Sequence, residues 1–190
     1  PTLVAEAVVE MRPRHRRQVR RQSLRDRLIE YNAFADALAK EGDCHRAGTE
    51  YKRVAFLTGN AAVEGWARFR TATCYFNKGS WNEAAAHYIQ AAWWSRAIGD
   101  RNIAYFMTAS SRFNDGAYAA CRGDLERCVF EGIDDSTSHN SWSEPHVSVV
   151  PAQTHLLTGL CLMAEGEWES ASARFDDVTR IQSVSRYQSK

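Results

Sequence analysis

Side chains capable of chemistry are scattered along this 190-residue chain rather than gathered. The five cysteines, Cys44, Cys74, Cys121, Cys128 and Cys161, are odd in number, form no C-x-x-C and fall in apolar periodic stretches. A disulfide framework favours an even count, usually in loops, so the pattern predicts free thiols and a reducing compartment, cytoplasmic or nuclear. His15, His45, His87, His139, His146 and His155 lie apart, with no i, i+4 pair beside a carboxylate of the kind that holds zinc. Cys44 and His45 are adjacent, and read as a small core residue beside a surface imidazole. Asp134-Asp135 read as solvated loop carboxylates rather than an acid–base pair. There is no phosphate-cradling glycine loop, no G-x-S-x-G and no H-E-x-x-H. The expectation is therefore a protein with no cofactor and no metal that is not an enzyme.

The chemistry that remains is recognition. Arg12, Arg14, Arg16, Arg17, Arg20, Arg21, Arg25 and Arg27 face a single carboxylate, Asp26, and give residues 12–27 a charge of +7. The whole chain is only +1, because the remainder is mildly acidic. Such a segment has several readings: nucleic-acid phosphates, an acidic protein surface, a localisation signal or a solvated face. Aromatics are absent between Met11 and Glu30, which leaves no platform for stacking on unpaired bases. An acidic protein surface is the favoured reading.

Four related segments must position whatever is bound. Each begins with a glycine, Gly42, Gly79, Gly123 or Gly166, spaced 37, 44 and 43 residues apart. At +2 stand Cys44, Trp81, Leu125 and Trp168, and at +5 Ala47, Ala84, Cys128 and Ala171. At +9 stand Tyr51, Tyr88, Gly132 and Phe175. Physically this is a helical hairpin. The glycine closes one helix in the left-handed conformation, and the next helix presents +2, +5 and +9 on one face. Preceding helices are expected over 28–40, 63–78, 103–121 and 149–165, with breaks at Thr58-Gly59-Asn60 and Gly99-Asp100. Strand signals are nearly absent; Val147–Val150 is the one β-like run, and Pro151 ends it. Thr2–Met11 reads as a short helix, 132–147 as a long polar loop and 183–190 as a polar tail. No stretch reaches the ~20 apolar residues of a membrane helix, and the first nine residues lack the features of a secretory signal.

The Gly, large, small, aromatic spacing resembles the tetratricopeptide repeat family. Small residues seven before the turn (Ala35, Ala72, Gly116, Gly159) and larger ones four before it (Leu38, Tyr75, Leu162, with Ala119 in the third copy) add to the likeness. The copies run longer than the family's usual period of about 34, and the proline that closes its second helix is missing in all four. A narrower resemblance is to helical-repeat scaffold subunits of the proteasome lid and the COP9 signalosome. It rests on Leu156-Leu157-Thr158-Gly159-Leu160 with Trp168–Phe175, and on the opening Pro1-Thr2-Leu3 with Glu6-Ala7.

The resemblance implies an all-α, right-handed superhelical solenoid of about four antiparallel hairpins over residues 28–182, preceded by a basic N-terminal part, 1–27. It also implies a concave partner-binding face lined by Asn32, Asp36, Phe69, Arg70, Phe76, Asn77, Phe113 and Asn114. Asn and Arg suit a peptide backbone or carboxylate and Phe an apolar pocket, although the same phenylalanines would equally serve as inter-repeat core. Trp93-Trp94 are open between a partner contact and stacking near Phe106, since neighbours on a helix diverge by about 100°. The expected function is a protein–protein scaffold or adaptor in a multi-subunit assembly, without membrane insertion. The alternatives are a signalosome or proteasome-lid scaffold, or an RNA-associated repeat protein using the arginines.

Overall fold

The structure, a computed structural model, describes residues 13–128 and 151–188, with side chains within 23–128 and 151–181. The Thr2–Met11 helix and the 132–147 loop lie outside the described residues. The described chain is all-helical, as the sequence predicts, and contains eight helices. They are α1 (Pro13–Lys40), α2 (Cys44–Thr58), α3 (Ala61–Asn77), α4 (Trp81–Trp94), α5 (Ile98–Asn114), α6 (Tyr118–Leu125), α7 (Pro151–Ala164) and α8 (Trp168–Gln188). Packing runs overwhelmingly between helices consecutive in sequence, α1 on α2, α2 on α3 and so on to α8. Among the described residues no helix is long and apolar enough to cross a membrane.

Four turns share one construction. Gly42, Gly79, Gly116 and Gly166 all have φ between 78° and 83°. In each, the residue after the glycine donates its N–H to a carbonyl five positions back: Asp43 to Leu38, Ser80 to Tyr75, Ala117 to Arg112 and Glu167 to Leu162. That bond satisfies a carbonyl otherwise orphaned at the helix end, the Schellman arrangement. The sequence predicts the third turn at Gly123, and the structure places it at Gly116. Gly123 lies inside α6, without the positive φ that closes a helix. The corrected spacing is 37, 37 and 50 residues, and the repeat pattern then reads Tyr118, Cys121 and Leu125 at +2, +5 and +9.

Close approach within each hairpin follows from residue size. Ala35, Ala72 and Ala109, seven before their turns, are fully buried, as are Ala47, Ala84 and Cys121 at +5. Tyr51 and Tyr88 at +9 fill the space beside them. In the last hairpin the position seven before the turn is Gly159, and a Cβ there would lie 2.5 Å from the Phe175 ring. The phenyl group occupies the volume a methyl would need.

Three further boundaries differ from expectation. The arginine-rich segment is not a part separate from the repeats: α1 runs unbroken from Pro13 through Lys40, and at 1.5 Å per residue its 28 residues extend about 42 Å. Proline suits the first position of a helix, where its missing N–H costs nothing. Gly99-Asp100 does not break the chain; both lie in the first turn of α5, and the break falls at Ser95–Ala97. The expected polar tail is helical as far as Gln188.

Candidate functional site

Three of the residues expected on the concave face converge. Asp36 on α1, Arg70 and Asn77 on α3, together with Lys40, Tyr51, Thr73 and Cys74, line a cavity of about 210 Å3 between the first two hairpins. Arg70 Nη2 lies 2.6 Å from Asp36 Oδ1, and the Tyr51 hydroxyl donates to the same oxygen at 2.5 Å. The Arg70 guanidinium also stands over the Tyr51 ring, 5.7 Å from its centre. Burial works to raise the Asp36 carboxyl, but the hydrogen bonds from Tyr51 and Arg70 and the Arg70 charge outweigh it and hold it below the usual range. Burial, with the hydrogen bond to Asp36, pushes the Tyr51 phenol up to about 12. At neutral pH the cavity wall therefore presents a carboxylate and a guanidinium already paired. The pair leaves other guanidinium donors, and an amide at Asn77, for an extended backbone or a carboxylate.

The remaining predicted positions fall elsewhere. Phe69 and Phe76 pack against the buried cluster of Ala72, Ala84 and Tyr88. Their rings meet Tyr88 at 5.0 and 6.4 Å, and Phe76 meets Trp81 at 5.0 Å. Phe113 packs on the cluster of Ala109, Cys121 and Leu125 and meets Tyr118 at 5.5 Å. All three are partly buried, so the phenylalanines belong to the packing between helices rather than to open pockets. Asn32 is half-buried and Asn114 exposed, both away from the cavity. Of the basic set, Arg25 and Arg27 are exposed. Arg14, Arg16, Arg17, Arg20 and Arg21 lie on the N-terminal half of α1, where side chains are outside the described residues, and Arg12 precedes it.

The cysteines depart from expectation. Cys44 and Cys74 form a disulfide joining α2 to α3, while Cys121, Cys128 and Cys161 are free. Cys44 is buried and His45 exposed, the arrangement expected for that pair. His87 stacks on Tyr75 at 5.4 Å, and burial holds its imidazole below the ordinary value.

An exposed aromatic surface lies on the second helices, which the sequence reading raised at Trp93-Trp94 and missed at Phe56. Phe56 and Trp93 each stand 14 residues after a turn glycine, and they are 86% and 69% exposed. Trp94 is also exposed, with the Arg68 guanidinium 5.9 Å from its ring centre. Neither tryptophan is buried. The 37-residue recurrence of an aromatic at this position was the available signal.

No known family profile matches the chain, and no curated protein matches it. Among solved structures, that of BtubC (BKLC) from P. vanneervenii is similar, with a TM-score of 0.59 and 15% sequence identity. The match covers 82% of this chain and 63% of BtubC, so the chain spans less than two thirds of that protein's length. This likeness concerns the fold alone, which is all-helical among the described residues.

Proposed function

We propose that this chain is a non-catalytic scaffold or adaptor of the tetratricopeptide type, holding an extended segment of a partner protein. The observation that carries the reading is the convergence of Asp36, Arg70 and Asn77, from two successive hairpins, on one polar cavity. Side chains from different repeats lining one surface are how stacked hairpins recognise extended ligands. The +7 of residues 12–27, largely on one continuous helix, adds a second contact, docking on an acidic protein surface in a larger assembly. A proteasome-lid or signalosome scaffold is one particular form of this reading.

The test is affinity capture with the full chain and its Arg70→Ala and Asn77→Ala variants, followed by mass spectrometry and titration of the captured partner. A surface arginine that hydrogen-bonds a ligand should contribute about 1.5–3 kcal/mol, or about 10- to 150-fold in affinity. Unchanged affinity in both variants, with helicity preserved, refutes the cavity as the binding site. Replacing Arg16, Arg17, Arg20 and Arg21 by glutamine separates the arginine readings. Lost capture of an acidic protein supports docking; lost RNA binding with protein capture intact replaces it with the RNA-associated reading.

A further inference from the structure

We propose that Cys121 and Cys161 form a peroxide-sensitive dithiol that closes to a second disulfide and staples α6 to α7. The two residues are fully buried on adjacent helices, and their sulfurs are 3.1 Å apart, sharing a hydrogen bond. Both therefore stand ready for bond formation without rearrangement of the backbone on the scale that separated cysteines require.

The repeat register strengthens the assignment. Cys161 stands five residues before the turn glycine Gly166, just as Cys74 stands five before Gly79. Cys74 is already bonded to the second helix of the preceding hairpin, through Cys44. Cys161 meets the second helix of its own preceding hairpin, through Cys121. At the junction between these two the corresponding residue is Ser111, buried and hydrogen-bonded to the Met107 carbonyl. One helix face thus carries a covalent link at one junction and the parts for a link at another.

The chemistry divides between the two sulfurs. The hydrogen bond with Cys121 holds the Cys161 thiol below its ordinary value, and the nearby Arg122 charge adds to this. The same contact, in which Cys161 donates to Cys121, and burial push Cys121 up, so Cys161 is the thiol that gives up its proton first. The Cys161 thiolate attacks one oxygen of hydrogen peroxide, the O–O bond breaks, and the departing hydroxide takes up a proton to leave as water. Cys121 Sγ then attacks Sγ of the resulting Cys161 sulfenic acid. The S–O bond breaks, and a second water leaves with the Cys121 proton. Two thiols lose two hydrogens and two electrons, and one peroxide becomes two waters. A cavity of about 400 Å3 lies beside the seam, walled by Arg122, Leu125, Cys128, Thr158 and Leu162. Cys121 and Cys161 are buried behind that wall, so the oxidant reaches them when the junction opens locally. The third free thiol, Cys128, lines that cavity, but it donates to the Asn102 carbonyl at 3.6 Å, and burial pushes it up to about 12, which keeps it a neutral, weakly nucleophilic thiol.

The experiment exposes the purified full chain to hydrogen peroxide, blocks remaining thiols with N-ethylmaleimide in denaturant, and analyses unreduced digests by mass spectrometry. The expected result is a fall from three free thiols to one, with the Cys121 and Cys161 peptides joined and two hydrogens lighter. A Cys121→Ser variant should instead accumulate dimedone-reactive sulfenic acid on Cys161, and Cys128→Ser should cross-link like the parent. Maleimide on both Cys121 and Cys161 after peroxide treatment overturns the proposal. So does a bond from Cys161 to Cys128. The readout is covalent, so it stands or falls independently of any partner.

Discussion

Replacing Gly116 and Gly123 by alanine, one at a time, tests the repeat register directly. Gly116 closes α5 with φ +80°, and its turn is fixed by the Ala117 N–H to Arg112 carbonyl bond at 2.8 Å. An L-residue forced into that left-handed conformation costs about 1–2 kcal/mol. Gly123 sits within α6, where an added Cβ meets nothing within 4 Å. Alanine there gains up to about 1 kcal/mol of helix propensity over glycine. The two variants should therefore differ by about 1–3 kcal/mol, which at about 2–4 °C per kcal/mol for a chain of this size separates their midpoints by about 2–12 °C. Thermal and urea unfolding followed by far-UV circular dichroism would read the difference. The reasoning is refuted if Gly123→Ala destabilises as much as Gly116→Ala, since that would restore Gly123 as the turn.

Three other expectations are open to measurement. Gly159→Ala should destabilise by about 1–3 kcal/mol through overpacking, because the new methyl meets Phe175 at 2.5 Å, and a second change, Phe175→Leu, should recover part of the loss in the same melts. Reducing Cys44–Cys74, which spans 30 residues, should lower stability by about 3–4 kcal/mol from loop entropy; a Cys44→Ser variant whose melting is unaffected by reductant checks the assignment. In an alkaline titration two phenols should ionise late, at about 12: Tyr51, through burial and its bond to Asp36, and Tyr88, through burial. Folding keeps these phenols neutral, so their contribution is complete below the ordinary value of 10.0 and is lost as pH rises toward 12. Tyr51→Phe and Tyr88→Phe should each remove part of the late ultraviolet transition.

The hairpin pattern was legible because close helix packing restricts residue types. Only small side chains fit where Ala35, Ala47, Ala72 and Ala84 meet, and they leave room beside them for Tyr51 and Tyr88. The third turn misled for a local reason. Gly123-Asp124-Leu125 reproduces the opening of Gly42-Asp43-Cys44, although its +9 position is Gly132, whereas Gly116 restores both the aromatic at +2 and the 37-residue interval. Asp36, Arg70 and Asn77 were reached through the register of helical repeats, but register alone did not distinguish them from Phe69, Phe76 and Phe113, which the packing absorbs. The Cys44–Cys74 bond was beyond the sequence. It depends on which face of α3 meets α2, and counting cysteines carries no information about facing.

The packing of each helix mainly on its sequence neighbours has a mechanical consequence. Tension applied between the ends of the described helices passes through the hairpin interfaces in series, so every junction bears the same load and the least resistant yields first. The Cys44–Cys74 junction cannot part without breaking a covalent bond. At the other extreme is α6, eight residues long beside neighbours of 17 and 14, with the smallest area to shear. Extension should concentrate there. The array would behave as a stiff segment, α1–α5, and a softer α6–α7 joint, whose compliance falls when Cys121 and Cys161 are bonded.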